Sequence, residues 1–237
     1  MSRSTSSQLR ATSHTVLAAA LWLLVARSAH AEPINYRPAP APEGSASVRI
    51  DLPYTFGTHN FDVRLLQGEV RIDWKGTPSV GGRLTLPLSS IHGGGETLNC
   101  HMREAMGLDY SRSAFPGKHV CEGGKLPATG NDAIAFPDIV FEIKRVVVDP
   151  VHTRSGEYEI WRATAFGRWT IHGVTREASI DLHLTVPGNE TAHPRWVRVE
   201  GVRKLRLADF GIQVKRAFVV TAGEEAAVKL DVLLRAQ

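Results

Sequence analysis

Cysteine and histidine occur together twice in one stretch, as Cys100-His101 and as His119 followed by Cys121. Two thiols and two imidazoles can hold a metal or serve nucleophilic chemistry. They can also form a simple disulfide beside two unrelated histidines. The spacing matches no standard zinc pattern. In an oxidising compartment a lone pair of cysteines reads as a disulfide. It would close a loop of roughly 20 residues, worth on the order of 3 kcal/mol in the chain-entropy account. A third histidine, His172, stands between two apolar runs in "WTIHGVTREASIDLHLTV" (Trp169–Val186). It is followed by Gly173 and the β-branched pair Val174-Thr175, a strand–turn–strand passage. There it is expected to bond backbone carbonyls and hold the corner, not to catalyse. The sequence contains no G-x-S-x-G elbow, no H-E-x-x-H helix and no G-x-x-x-x-G-K-[ST] loop. Acids such as Asp51 and Asp73 alternate with apolar residues and read as solvated surface. Asn189 begins an N-x-T sequon, a pattern common by chance. No catalytic residue, cofactor or metal ligand is assigned.

The elements that position these residues are strands. Val48, Ile50 and Leu52 alternate with Arg49 and Asp51, the period of a half-buried strand. The same alternation covers Phe61–Leu65, Val70–Trp74, Leu84–Leu88, Ile139–Ile143, Ile180–Val186, Val197–Val199 and Val228–Val232, with a further run at Tyr158–Ile171. Twenty-one glycines and 13 prolines favour turns between strands over long helices. The expected fold is all-β: an antiparallel up-and-down barrel of about eight strands, which abolishes sheet edges by closing. The excursion Ser89–Pro137 interrupts the pattern and holds both cysteines. Within it Glu96–Met106 is the one segment read as a short helix.

The N-terminus reads differently. Arg3 and Arg10 precede a short apolar run, Val16–Ala26, and a small-x-small site, Ala29-His30-Ala31. This is the pattern of a secretory signal peptide over residues 1–31. The run is shorter than the roughly 20 apolar residues a membrane span needs. No transmembrane segment is expected after leader cleavage, and the location is periplasmic or secreted. Residues 32–44, "EPINYRPAPAPEG", read as a proline-rich tether, with one folded domain over 45–237. Removing Arg3, Arg10 and Arg27 from the 28 lysines and arginines leaves 25 against 24 acidic side chains, a net charge of +1. That near-neutral balance argues against nucleic acid as a partner. Arg195, Arg198, Arg203, Lys204 and Arg206 are read as the solvated face of strands.

Three segments in order, "FPDIVFEIKRV" (Phe136–Val146), "GRWTIHGVTREASIDLHLTV" (Gly167–Val186) and "LRLADFGI" (Leu205–Ile212), resemble the YceI-like family of exported polyisoprenoid-binding proteins. "SVRIDLPYTFGTHNFDVRLLQGEVRID", from Ser47, resembles the family's opening hairpin, with His59 its histidine. "LNCHMREAM" (Leu98–Met106) resembles its short helical segment. The stretch from Gly107 to Gly130 is longer than usual for the family. The resemblance implies a lipocalin-like barrel with an apolar interior that holds an isoprenoid or similar lipid, and no enzymatic activity. From the residues alone a filled core is at least as good a reading, since an eight-stranded barrel is just wide enough for side chains or one small ligand. The expected lining is Phe61, Val63, Val70, Ile72, Phe141, Ile143, Phe166, Trp169, Ile171 and Phe210. The competing readings are a non-enzymatic interaction module, with a solid barrel and a disulfide-restrained partner-binding loop, and an enzyme or metal protein using Cys100, His101, His119 and Cys121. The reading leaves room for a homodimer.

Overall fold

The computed structural model describes residues 32–42, 47–75, 78–213 and 222–237. The expected leader over 1–31 lies outside the described residues. Eleven strands follow in chain order: β1 (Ile34–Pro38), β2 (Val48–Tyr54), β3 (Gly57–Val63), β4 (Gln67–Asp73), β5 (Ser79–Pro87), β6 (Ile91–His92), β7 (Asp138–Ser155), β8 (Tyr158–Ile171), β9 (Val174–Pro187), β10 (Trp196–Arg206) and β11 (Glu225–Ala236). Among the described residues one α-helix, α1 (Glu96–Gly107), lies between β6 and β7.

Eight of these strands close into a ring in the order β1, β4, β5, β7, β8, β9, β10, β11, with β11 returning to β1. All the pairings are antiparallel, and from β4 onward each strand neighbours the next in sequence, apart from short β6. This is the expected up-and-down barrel. The free edge of β11 is divided. Ala227–Leu230 pair with β2, while Leu234 and Ala236 pair with Pro38 and Tyr36 of β1. β2, β3 and β6 therefore extend the wall at the end of the barrel where α1 lies.

One expectation is corrected here. The sequence pattern predicts a tether over 32–44 with folding from about Ser45, yet Ile34–Pro38 is the strand that closes the ring. Tyr36 is fully buried. Its hydroxyl donates to the Pro194 carbonyl at 2.7 Å and accepts from Trp74 Nε1 at 2.8 Å. The prolines that suggested a tether begin at Pro38, where the strand ends.

Period-two alternation builds the interior. In β8, Ala163, Ala165, Trp169 and Ile171 are buried while Arg162 and Arg168 point out. In β9, Ile180, Leu182, Leu184 and Val186 do the same. Gly167 allows β7 and β8 to touch: a Cβ there would lie 2.1 Å from the Glu142 carbonyl oxygen. The outer face carries ion pairs, including Arg198 with Asp231 at 2.7 Å and Lys144 with Glu177 at 2.7 Å. Arg195, Arg198, Arg203, Lys204 and Arg206 are all exposed.

Helix α1 begins at Gly95 without a side-chain cap, and Glu96 in its first turn suits the positive end of the helix dipole. Leu98, Met102, Ala105 and Met106 recur at helical spacing and pack on the barrel core. Cys100 and Glu104, four apart, are buried on the side facing the following loop. That loop forms a small core of its own from Leu108, Phe115 and Val120.

Candidate functional site

The barrel interior is not filled. A cavity of about 320 Å³ lies beneath α1, walled by β-strand residues including Ile50, Phe61, Leu86, Ile139, Trp169, Ile171, Ala226 and Val228. Helix residues Leu98, Met102, Ala105 and Met106 form its cover. Phe210 and Ile212 close one side. The volume is at the small end of the range typical of ligand sites, roughly 300–1,000 Å³. A second cavity of about 100 Å³ lies deeper, between Val70, Ile72, Phe141, Ile143, Ala165 and Leu184 among others. Leu86, Ile139, Trp169 and Val228 line both, so the two chambers adjoin along the barrel. Trp169 stacks obliquely on Phe141, with centroids 4.8 Å apart. The solid barrel of the interaction-module reading is not what the structure contains.

Eight of the ten expected lining residues border a chamber. Phe61, Ile171 and Phe210 line the upper chamber; Val70, Ile72, Phe141 and Ile143 line the lower; Trp169 lines both. Val63 is buried in the core but borders neither chamber. Phe166 is a correction. It lies an odd number of residues from Trp169 in one strand, so the two face opposite ways. Phe166 packs outside the core cluster, with the Arg145 guanidinium 4.1 Å from its ring centroid.

Polar groups gather at the helix-covered end. His59 stacks on Tyr54 with centroids 4.0 Å apart, and both line the upper chamber. His101 and His119 line it as well, and their rings stack at 4.3 Å. Glu104 is fully buried between them and the loop. Its Oε1 accepts from the backbone N–H groups of Val120 at 2.5 Å and Cys121 at 2.9 Å. Its Oε2 lies 2.7 Å from His119 Nδ1. The Cys100–Cys121 disulfide, with Cα atoms 6.1 Å apart, ties the helix to this loop. The expected pairing is therefore present, and it removes both thiols from any metal set. Sequence reasoning named the two histidines but missed Glu104. The available signal was the H-x-x-E spacing of His101 and Glu104 on one helix face.

His172 holds the corner, as read from the sequence. It and Gly173 both have positive φ, 51° and 72°, the conformation of a two-residue hairpin turn between β8 and β9. Its Nε2 lies 2.8 Å from the Leu108 carbonyl oxygen and its Nδ1 3.3 Å from that of Phe210. Tyr110 and Phe136 pack against its ring. One imidazole thus joins the hairpin, the end of α1 and the "ADFG" turn that walls the chamber. Burial raises the Tyr110 phenol above its usual range, partly offset by the Gln213 backbone N–H. His92 is shifted the other way, chiefly by burial and then by Arg64 and Arg103.

The closed antiparallel barrel with its one short helix among the described residues matches the YceI-like, lipocalin-like fold. A family model described as "YceI-like domain" matches residues 130–234, which confirms over that span the resemblance read from the motifs. Among solved structures, Burkholderia cenocepacia BcnA is 13% identical with a TM-score of 0.50, covering 80% of this chain and 96% of its own. A polyisoprenoid binding domain from Saccharophagus degradans, described as implicated in plant cell wall breakdown, is 12% identical with a TM-score of 0.51. That alignment covers 87% of this chain and all of the other. At such identities the likeness shows the fold. No curated protein matches the chain by sequence.

Proposed function

We propose that this protein binds an isoprenoid-like or other long-chain amphiphile in its barrel and carries or sequesters it after export. The observation that carries the reading is the pair of adjoining apolar chambers, which share Leu86, Ile139, Trp169 and Val228 in their walls. The name of the Saccharophagus degradans domain, which shares the fold, supports the same ligand class. A binding role fits better than catalysis because apolar side chains dominate the chamber walls. Export rests on the leader-like residues 1–31. Among the described residues no helix is long and apolar enough to cross a membrane.

The energetics suit a chain molecule. Each CH₂ withdrawn from water is worth about 0.8 kcal/mol. Loss of translational freedom and ligand ordering consume a large part of that gain. Apolar walls discriminate by length and girth, leaving head-group choice to the histidine-bearing end.

Lipid extraction and mass spectrometry of the purified protein test the reading. A co-purifying prenyl or acyl chain is expected. Ala226 is a small buried residue on the chamber wall. Ala226→Phe should fill part of the space and lower ligand occupancy at least tenfold, with the β-sheet circular dichroism unchanged. Protein that is lipid-free from its host and takes up no added prenyl alcohol or quinone would overturn the proposal.

A further inference from the structure

We propose that His101, Glu104 and His119 form a binding site for a zinc-class divalent cation at the helix-covered end of the upper chamber. One donor atom from each lies within 4.8 Å of the other two. Two imidazole nitrogens and one carboxylate oxygen are a donor set for zinc, which keeps an open position where the protein supplies three ligands. Intermediate-softness nitrogen donors also favour such a cation over magnesium or calcium, which take oxygen.

Three features build this arrangement. His101 and Glu104 are three residues apart on α1 and so share a face. The Glu104 carboxylate is oriented by the loop. Two backbone N–H groups occupy Oε1, which leaves Oε2 turned toward His119 at 2.7 Å. The disulfide then fixes His119, two residues before Cys121, against the helix that carries the other two donors. The triangle is thus held by covalent and backbone constraints that do not depend on an ion, which reduces the ordering that binding would otherwise require.

Access and placement agree. Glu104 is fully buried, but the His119 side chain is 38% exposed and offers an entry path. His101 and His119 both line the upper chamber, so the open coordination positions adjoin the space of the bound ligand. The site stands independently of what fills that space.

The test uses the full purified chain with its disulfide intact, stripped with a chelator and titrated with Zn²⁺ by calorimetry. Co²⁺ serves as a spectroscopic reporter of nitrogen and oxygen ligation. One equivalent should bind, and His101→Ala and His119→Ala should each weaken binding at least tenfold while the thermal transition is kept. His101→Ala is the decisive variant, because the Glu104 carboxylate keeps its contacts with the Val120 and Cys121 backbone N–H groups and with His119 when that ring is removed. No saturable binding by the wild type up to millimolar Zn²⁺ would overturn the site. So would binding that both variants leave unchanged, which would assign the ion to other surface histidines. Lipid content measured on the same samples separates failure of this site from failure of the lipid-binding reading.

Discussion

His172 is the one described non-glycine residue with positive φ, and its side chain explains why that conformation is kept. Histidine tolerates the left-handed region better than β-branched residues do. Here the ring is buried between carbonyl oxygens of two other segments. Removing it leaves the carbonyl oxygen that the ring N–H serves without that donor, which costs about 1–3 kcal/mol for a buried group. His172→Ala should therefore lower the urea midpoint by that order. His172→Asn, which keeps a donor and the turn preference, should recover part of the loss. Equal midpoints for Ala and wild type would show that the corner is held by the backbone alone. This role was legible beforehand, because a turn residue between two alternating runs has few other partners. The placement of Phe166 was misread for the opposite reason. Its aromatic ring suggests the interior, but strand parity decides which side of a sheet a residue occupies.

At the scale of elements, alternation located the nine longer strands, and a helix over Glu96–Met106 was found at Glu96–Gly107. β1 is masked in the sequence because Pro38 ends it and Pro40 and Pro42 follow closely. Ile34, Tyr36 and Pro38 nonetheless alternate with Asn35 and Arg37, a short strand signal hidden in a disordered-looking context. The acid–histidine cluster could not be derived from spacing alone, since His119 reaches α1 only through the loop fold and the disulfide. That bond closes a loop with a sequence separation of 21. Replacing both cysteines by serine should cost about 3 kcal/mol. The loss should be local. Hydrogen exchange in α1 and the 108–126 region should quicken, while β8 and β9, with their own long ladder, stay protected. Uniform acceleration throughout the barrel would mean that helix and sheet unfold as one unit.

For the molecule as a whole, the outer charges set the response to acid. Hydrogen bonds to Arg198 hold the Asp231 carboxyl below its usual range, with some opposition from burial. Arg168 does the same to Glu142, and Arg195 to Glu190. A carboxyl depressed in the folded state binds its proton more readily when unfolded. Its contribution is therefore present above the unfolded value, about 4, and is lost as pH falls through the lower folded value. His92, also depressed, adds a slope of the same sign that begins near pH ~6.5. Urea midpoints should fall from neutral pH downward and most steeply below about pH 4. The steep part should shrink in high salt, because the pairs are solvent-facing and screened. Asp231→Asn should flatten the acidic limb; a midpoint that rises on acidification would contradict these assignments.

The seam between Tyr36 and Ala236 has a temporal consequence. The two staves that meet there are the first and last strands of the barrel in chain order, so the tube cannot be sealed until β11 has been synthesised. Before that moment the would-be lumen is a curled, gaping sheet with its greasy side toward water. Contacts between such distant parts form slowly because the loop they close is long. Whatever accompanies the nascent chain has to guard a nearly finished but still unzipped vessel.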